Sequence, residues 1–233
     1  MIDAEQTYIQ YGIDSVTRQI QRLHNTKKIV AMNTYQAYLK RTRRNVMLDV
    51  MGSNMAKIPF AAKLVRGAYL TEESKTALDH EEESPIYPNK ALVDKYYDDV
   101  VEFVISNLPP RSHFTVASHN ETTIDLASDL VKKRQKELED QKSQISFAQL
   151  KGFGDRITYR LAQKGFFTFK YLPYGPTHNL MPYLCRRAEE ASYVWLDSRK
   201  KLVDVRKELC DIRRLHYKAA GIAAATLFVL MLI

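Results

Sequence analysis

The sequence is poor in the residues that build covalent or metal-bound scaffolds. Among 233 residues there are only two cysteines, Cys185 and Cys210, and neither has a Cys-x-x-Cys or Cys/His partner at ligand spacing. That argues against a disulfide framework and a zinc module; no metal site is expected, and a reducing compartment is the default. A dinucleotide fingerprint is also missing. The only Gly-x-Gly, Gly152-Phe153-Gly154, has Ile157 where a third glycine is needed. The opening residues Met1 to Glu5 resemble neither a secretory signal nor an Arg-rich transit peptide. The longest apolar run, Ala219 to Ile233, is uncharged with Thr226 as its one polar side chain, but its 15 residues fall short of the roughly 20 that cross a bilayer. An interfacial tail, a truncated anchor and the read-through end of a gene model stay open for it.

What is present is ordinary globular material: 45% hydrophobic, 27% charged, and long enough to bury a large core. The formal charge of +8 points to an anionic partner without choosing one. Because the basic residues are scattered over helices with no aromatic-interleaved patch, nucleic acid is not expected as a partner.

Along the chain, short apolar runs alternate with helical periodicity. Strands are expected at Ile2 to Ala4, Ile29 to Asn33, Phe60 to Arg66, His113 to Ala117, Ile145 to Leu150 and Phe166 to Tyr171. Helices are expected at Thr7 to Leu23, Tyr35 to Met55, Ala91 to Leu108, from Glu121 into the charged run ending at Lys142, and Asp155 to Lys164. Asn120 is placed to cap the fourth of these. The acidic stretch from Thr71 to Asn89 reads as a long functional or mobile loop. Regular β-then-α alternation without hairpin signals argues for a parallel sheet, either doubly wound or a barrel. Polar residues near the strand ends, Asp3, Asn33, Arg66, His119, Gln149 and Tyr171, favour the barrel, whose strand ends open onto one chemical face.

The stretch from Lys170 to Glu190 adds a rigid turn at Pro173, Gly175 and Pro176, after which Thr177 can cap a helix. Tyr183, Arg186, Arg187 and Glu190 share one face of that helix. Two guanidinium forks beside a tyrosine suit a carboxylate or phosphate grip, and a solvated basic face is the alternative that spacing leaves open.

Seven segments in order carry a specific resemblance. DAEQTY (Asp3 to Tyr8), NTYQAYLK (Asn33 to Lys40), KLVRGAY (Lys63 to Tyr69), ASHNETT (Ala117 to Thr123), FAQLKGFGD (Phe147 to Asp155), YLPYGP and PYLCRRAEE closely resemble the motifs of eukaryotic, mitochondrial-type proline dehydrogenases. The resemblance ends near Ser192. It implies an α/β fold, an incomplete (β/α)8 TIM-type barrel of about the last six β/α units. The barrel would occupy residues 1–196 and lack its first strands, and a C-terminal helical tail with an apolar end would occupy 197–233. The implied activity is FAD-dependent oxidation of L-proline to Δ1-pyrroline-5-carboxylate, with electrons passed to membrane quinone on the matrix side of the mitochondrial inner membrane. The alternative is a catalytically incomplete fragment or interaction protein. The tail is a candidate for peripheral membrane contact.

By the same resemblance, Arg186 and Arg187 pair with the proline carboxylate, Tyr171 and Tyr183 wall its ring, and Leu150 lies against it. Asp3 would lie near the substrate amine as an electrostatic partner. Lys63 would stand beside the flavin ring, where a cation favours the reduced, anionic form. Ala4, Asn33, Val65, Arg66, Gly67, Ala68, Tyr69, His119, Asn120 and Glu190 complete the FAD environment, with Gly67 letting the backbone approach the cofactor. Two departures stand out. Val93 replaces a hydroxyl residue that contacts FAD in relatives, and nothing matches the early strand whose lysine joins the arginines at the carboxylate. A longer transcript and weak FAD binding by the 233-residue chain are therefore expected.

Overall fold

The computed structural model describes residues 1–178, 180–185, 187, 206 and 210. The chain divides into two compact units, Met1–Leu172 and Pro173–Ile233. The first contains, in order, α1 (Thr7–His24), β1 (Asn33–Gln36), α2 (Thr42–Ala56), β2 (Ala61–Val65), α3 (Leu70–Asp79), α4 (Lys90–Asn107), β3 (His113–Ala117), α5 (Glu121–Lys133), α6 (Gln135–Asp140), β4 (Gln144–Leu150), α7 (Asp155–Gln163) and β5 (Phe167–Tyr171). The expected boundary at residue 196 and the apolar tail fall outside the described residues.

All five strands are parallel and lie in the order β1-β2-β3-β4-β5. Each strand pairs with its predecessor across an intervening helix. A doubly wound sheet reverses direction at a switch point, whereas this order is that of a barrel wall. The core lies on one side of the sheet: Tyr35, Leu64, Phe114, Val116 and Phe147, from alternate strand positions, cluster with Val46 and Val50 of α2, Val101 and Val104 of α4, Ile124 of α5 and Leu161 of α7. Most of these are wholly buried. The other alternate set of strand residues forms a second face, called here the inner face.

Five strands form where six were expected. Ile2 to Ala4 makes a single backbone bond, Ile2 N–H to Met32 C=O at 2.8 Å, and no ladder. Side chains take the neighbouring backbone instead: Gln36 Nε2 donates to Glu5 C=O at 2.9 Å, and Glu5 N–H donates to Gln10 Oε1 at 2.8 Å. The first strand also begins later than Ile29. The buried Asn25 side chain accepts from Val30 N–H and Ala31 N–H at 2.8 and 2.9 Å, which withdraws those donors from any ladder. Helix α2 accordingly starts at Thr42, and Tyr35 stays in the strand with its ring stacked 6.5 Å from Phe60.

The expected loop at 71–89 is half helix. Glu72 and Glu73 occupy the first turn of α3, where carboxylates favour the helix N-terminus, and Glu73 and Ala77 are buried. The remainder is stitched to the segment after β1 by Lys40 N–H to Pro85 C=O and Tyr87 N–H to Tyr38 C=O, both 2.9 Å, with a bridge between Leu39 and Ile86. In the second unit, Thr177 is already helical and Leu180 N–H reaches Pro176 C=O at 3.1 Å, so the helix begins one residue earlier than a Thr177 cap would set it.

Candidate functional site

The inner face is read off the strand register. One row runs Thr34, Lys63, Thr115, Ser146, Phe167, and the next runs Gln36, Val65, then Ala117, Ala148, Phe169. Leu150 and Tyr171 are paired one step further along β4 and β5. The first row is polar and bonded: Ser146 Oγ lies 2.9 Å from both Thr115 Oγ1 and His113 Nε2. The second has small side chains in its middle. At its β5 edge Phe167, Phe169 and Tyr171 are 60%, 50% and 46% exposed, although the helix side of the same sheet is sealed. Among the described residues this face combines a polar row, an exposed aromatic edge and the Lys63 ammonium.

Lys63 Nζ donates to Asp3 Oδ1 at 2.5 Å, and Thr34 Oγ1 approaches the same oxygen at 3.3 Å. The lysine side chain is 15% exposed and the aspartate 61%, so the pair joins the face to solvent. Ala4 follows in the same half-buried segment.

At the end of β2 the chain turns through Gly67. Its φ of +145° is strained for any side chain, and an added Cβ would stand 2.3 Å from the Tyr38 ring. The close approach at this glycine is made by the Tyr38 ring. Tyr38 belongs to a small apolar cluster with Leu39 and Ile86, against which Val93 packs. Ala68 N–H donates to Gln36 Oε1 at 3.2 Å, and Tyr69 Oη donates to Glu5 Oε2 at 2.5 Å.

Arg66 is locked on the helix side of this turn. It donates to Asp94 Oδ1 at 2.7 Å, Ser118 Oγ at 2.6 Å and Thr123 Oγ1 at 3.1 Å, and lies 4.4 Å over the Tyr97 ring. Burial alone would raise the Asp94 carboxyl, but Lys90 and Arg66 hold it below its usual value. Arg66 thus ties three elements together behind the site.

His119 follows β3. Its Nε2 accepts from Leu150 N–H at 3.0 Å, which fixes the neutral tautomer with Nδ1 protonated, and its ring lies 6.0 Å from Phe153. Although one edge is exposed, loss of water around the ring, with the Lys170 and Arg66 cations adding, pushes its pKa down to about 4. Asn120 spends its side-chain oxygen on the α5 cap, accepting from Thr122 and Thr123 N–H at 3.0 and 3.4 Å.

Asn33 takes a different place in its strand from the one expected. It opens β1 instead of closing a strand, is 1% exposed, and donates to the buried Asp14 at 3.1 Å on the face opposite Thr34 and Lys63. That bond ties β1 to α1. In the second unit Arg187 stands 5.4 Å over the Tyr183 ring, while Arg186 and Glu190 lie outside the described residues. Two residues that sequence reasoning missed are Glu5 and Gln36, which connect the Asp3 segment to the end of β2. Both lie inside segments already singled out, and strict alternation from Thr34 puts Gln36 on the inner face.

A singly wound parallel sheet, with helices packed on one side and a polar, ion-paired face on the other, defines a protein of the β/α-barrel class. Residues 1–194 match the family model described as proline dehydrogenase, and the chain belongs to that family. It is 40% identical over 194 residues to human mitochondrial proline dehydrogenase 1, covering 82% of this chain and 32% of the relative. For the Drosophila melanogaster protein of the same name the identity is 36%, covering 95% and 34%. The hydroxyproline dehydrogenase of Rattus norvegicus is 33% identical, covering 90% and 46%. The chain spans about a third of the length of the proline dehydrogenases it matches. Among solved structures, the proline utilization A protein of Bdellovibrio bacteriovorus inactivated by N-propargylglycine superposes with a TM-score of 0.71 at 25% identity, over 81% of this chain and 19% of that one.

Proposed function

We propose that this chain carries the proline-oxidising site of an FAD-dependent dehydrogenase that converts L-proline to Δ1-pyrroline-5-carboxylate. The observation that carries the reading is the Asp3–Lys63 pair on an inner face that also presents small and aromatic side chains. The residues fit FAD: a flat, largely apolar ring with a polar edge suits exposed Phe169 and Tyr171 beside Ala148, flanked by a single ammonium. When bound, FAD supplies the hydride acceptor, so the protein needs no nucleophile.

The chain's own residues then bind and orient. Oxidation takes a hydride from C5 and a proton from nitrogen, leaving a C=N bond. Leu150 and Tyr171, adjacent across β4 and β5, form the wall for the pyrrolidine ring. Arg187, with Arg186, meets the substrate carboxylate, and a guanidinium already resting over Tyr183 loses little freedom in doing so. Lys63, held by Asp3, offers its charge to the cofactor edge, while Asp3 attracts the substrate amine. Val65, Ala4, Ala68 and Tyr69 line the approach, His119 stays neutral near Leu150, Gly67, Arg66 and Asn120 hold the backbone behind it, and Glu190 is assigned to the cofactor by its motif. Positioning of this kind supplies about 7–11 kcal/mol of a barrier at best.

The proposed electron acceptor is membrane quinone at the matrix side of the mitochondrial inner membrane; the names of the relatives support the mitochondrial compartment. No helix among the described residues is long and apolar enough to cross a membrane; peripheral contact through Ala219 to Ile233 is the proposed attachment. A second reading, a chain that keeps the family surface without turnover, is favoured by the exposure of Phe167, Phe169 and Tyr171 along β5. Overall identity does not separate proline from hydroxyproline, since the bovine relatives of the two names stand at 35% and 36%.

One experiment decides among these. The FAD-loaded chain is mixed anaerobically with L-proline or 4-hydroxyproline and flavin bleaching is followed. Bleaching by proline, lost in Arg187→Met, supports the proposal. Bound but unreducible flavin supports the second reading, and faster bleaching by hydroxyproline reassigns the substrate.

A further inference from the structure

Helix α1 begins without any local device to satisfy its first amides. Gln6 at its N-cap makes no side-chain bond, and its first turn contains no acidic residue. A helix start of this kind is ordinarily stabilised by a capping oxygen or a carboxylate. Here both come from elsewhere in the chain. Glu73, in α3 and only 4% exposed, accepts from Thr7 N–H at 2.5 Å through one oxygen and from the Thr7 hydroxyl through the other. One turn earlier, Tyr69 holds Glu5. The opposite side of the same segment is held by the sheet: Gln36 Nε2 on Glu5 C=O, and Thr34 and Lys63 on Asp3.

We propose that Glu73 is a positioning residue, and that α3 is a clasp which, through Thr7 and the start of α1, fixes the Asp3–Gln6 segment so that Asp3 meets Lys63. The catalytic part of this statement rests on the function proposed above. The geometry shows why a distant residue is needed. Asp3 is the more exposed member of the pair, on a segment with a single backbone bond to its neighbour, and three residues lie between it and Thr7, whose amide Glu73 holds. Without the clasp, the segment keeps only its Glu5 bonds, the Ile2 backbone bond and the Asp3 contacts, and an exposed ion pair adds little order of its own.

The test compares Glu73→Ala, Glu73→Gln and Asp3→Asn in the full chain. Glutamine keeps an acceptor for Thr7 N–H and a hydrogen-bonding group for the hydroxyl, so it is the conservative variant. Hydrogen exchange reads the clasp without reference to catalysis. In Glu73→Ala the amides from Glu5 to Gln10 exchange about tenfold or more faster, those of α4 and α5 are unchanged, and Glu73→Gln restores protection. In the FAD-loaded protein, Glu73→Ala lowers kcat about tenfold with KM within about twofold, and adds nothing further in the Asp3→Asn background. Unchanged exchange at Glu5 to Gln10 overturns the clasp. Equal losses from Glu73→Ala with and without Asp3 overturn the positioning role and leave a purely structural one. If Asp3→Asn alone leaves turnover intact, it is the catalytic assignment of Asp3 that fails, and the exchange result still decides whether the clasp exists.

Discussion

Lys63 and Leu64 are neighbours in one strand and belong to different problems. Leu64 points to the helix side, is wholly buried, and packs among Tyr35, Phe114 and the helices. Lys63 points to the inner face, pairs with Asp3, and is surrounded by hydroxyls and small residues. The same contrast repeats across the sheet, Phe147 against Ser146 and Val116 against Thr115. Alternation in a strand thus sorts residues into a side that holds the fold and a side that is free to do chemistry. Polar groups are tolerated on the inner side because they satisfy one another.

The largest expected effect comes from the fold side. Leu64→Ala should cost about 2–5 kcal/mol in denaturant unfolding, because the cavity it leaves is walled by rigid neighbours; a loss under about 1 kcal/mol would break the contrast. Next, Lys63→Met should lower proline-dependent turnover about 100-fold or more, equivalent to about 2.7 kcal/mol of barrier, while the unfolding free energy shifts by no more than about 0.5 kcal/mol. A comparable fall in stability would place Lys63 among the structural residues. Gly67→Ala sits between the two sides: with φ at +145° and a Cβ 2.3 Å from Tyr38, it should destabilise by about 1–3 kcal/mol. Tyr38→Ala in the same background should recover part of the steric loss, which sharpens the assignment of the glycine to packing.

The smallest effect is a pH dependence. His119 has a folded pKa of about 4 against an ordinary value of 6.5, so between these values the unfolded chain takes up a proton that the folded one refuses. Stability attributable to this group is fully present above pH 6.5 and is lost as pH falls toward 4. His119→Gln should flatten that part of the stability profile, measured by thermal unfolding across the same range. An identical slope in the variant would show that the ring is not held neutral by its surroundings.

The sequence made the parallel alternation legible because each strand is punctuated. His113 to Ala117 is bounded by Pro109-Pro110 and by the Asn120 cap, and it forms with those bounds. Where an element depends on a distant side chain, local reading goes astray. Asn25 delays β1 by occupying the backbone of Val30 and Ala31, and Asn33 consequently opens a strand it was expected to close. Helix α3 was hidden because its sequence, LTEESKTALD, has few apolar positions; what buries Glu73 is its bond to Thr7, 66 residues away. The site shows the same division. Ordered motifs lead to the family and to Asp3 and Lys63 as individuals, but their meeting, and the roles of Glu5 and Gln36 between them, depend on the fold.

The central claim is that the inner face, not the helix side, carries the cofactor chemistry. It is tested most directly by equilibrium titration of FAD into the wild-type chain, Lys63→Met and Leu64→Met, each of verified fold, following flavin fluorescence. Lys63→Met should weaken binding at least about tenfold, and the volume-conserving Leu64→Met should leave it within about twofold. Equal affinities in all three, or weakening confined to Leu64→Met, would contradict the account.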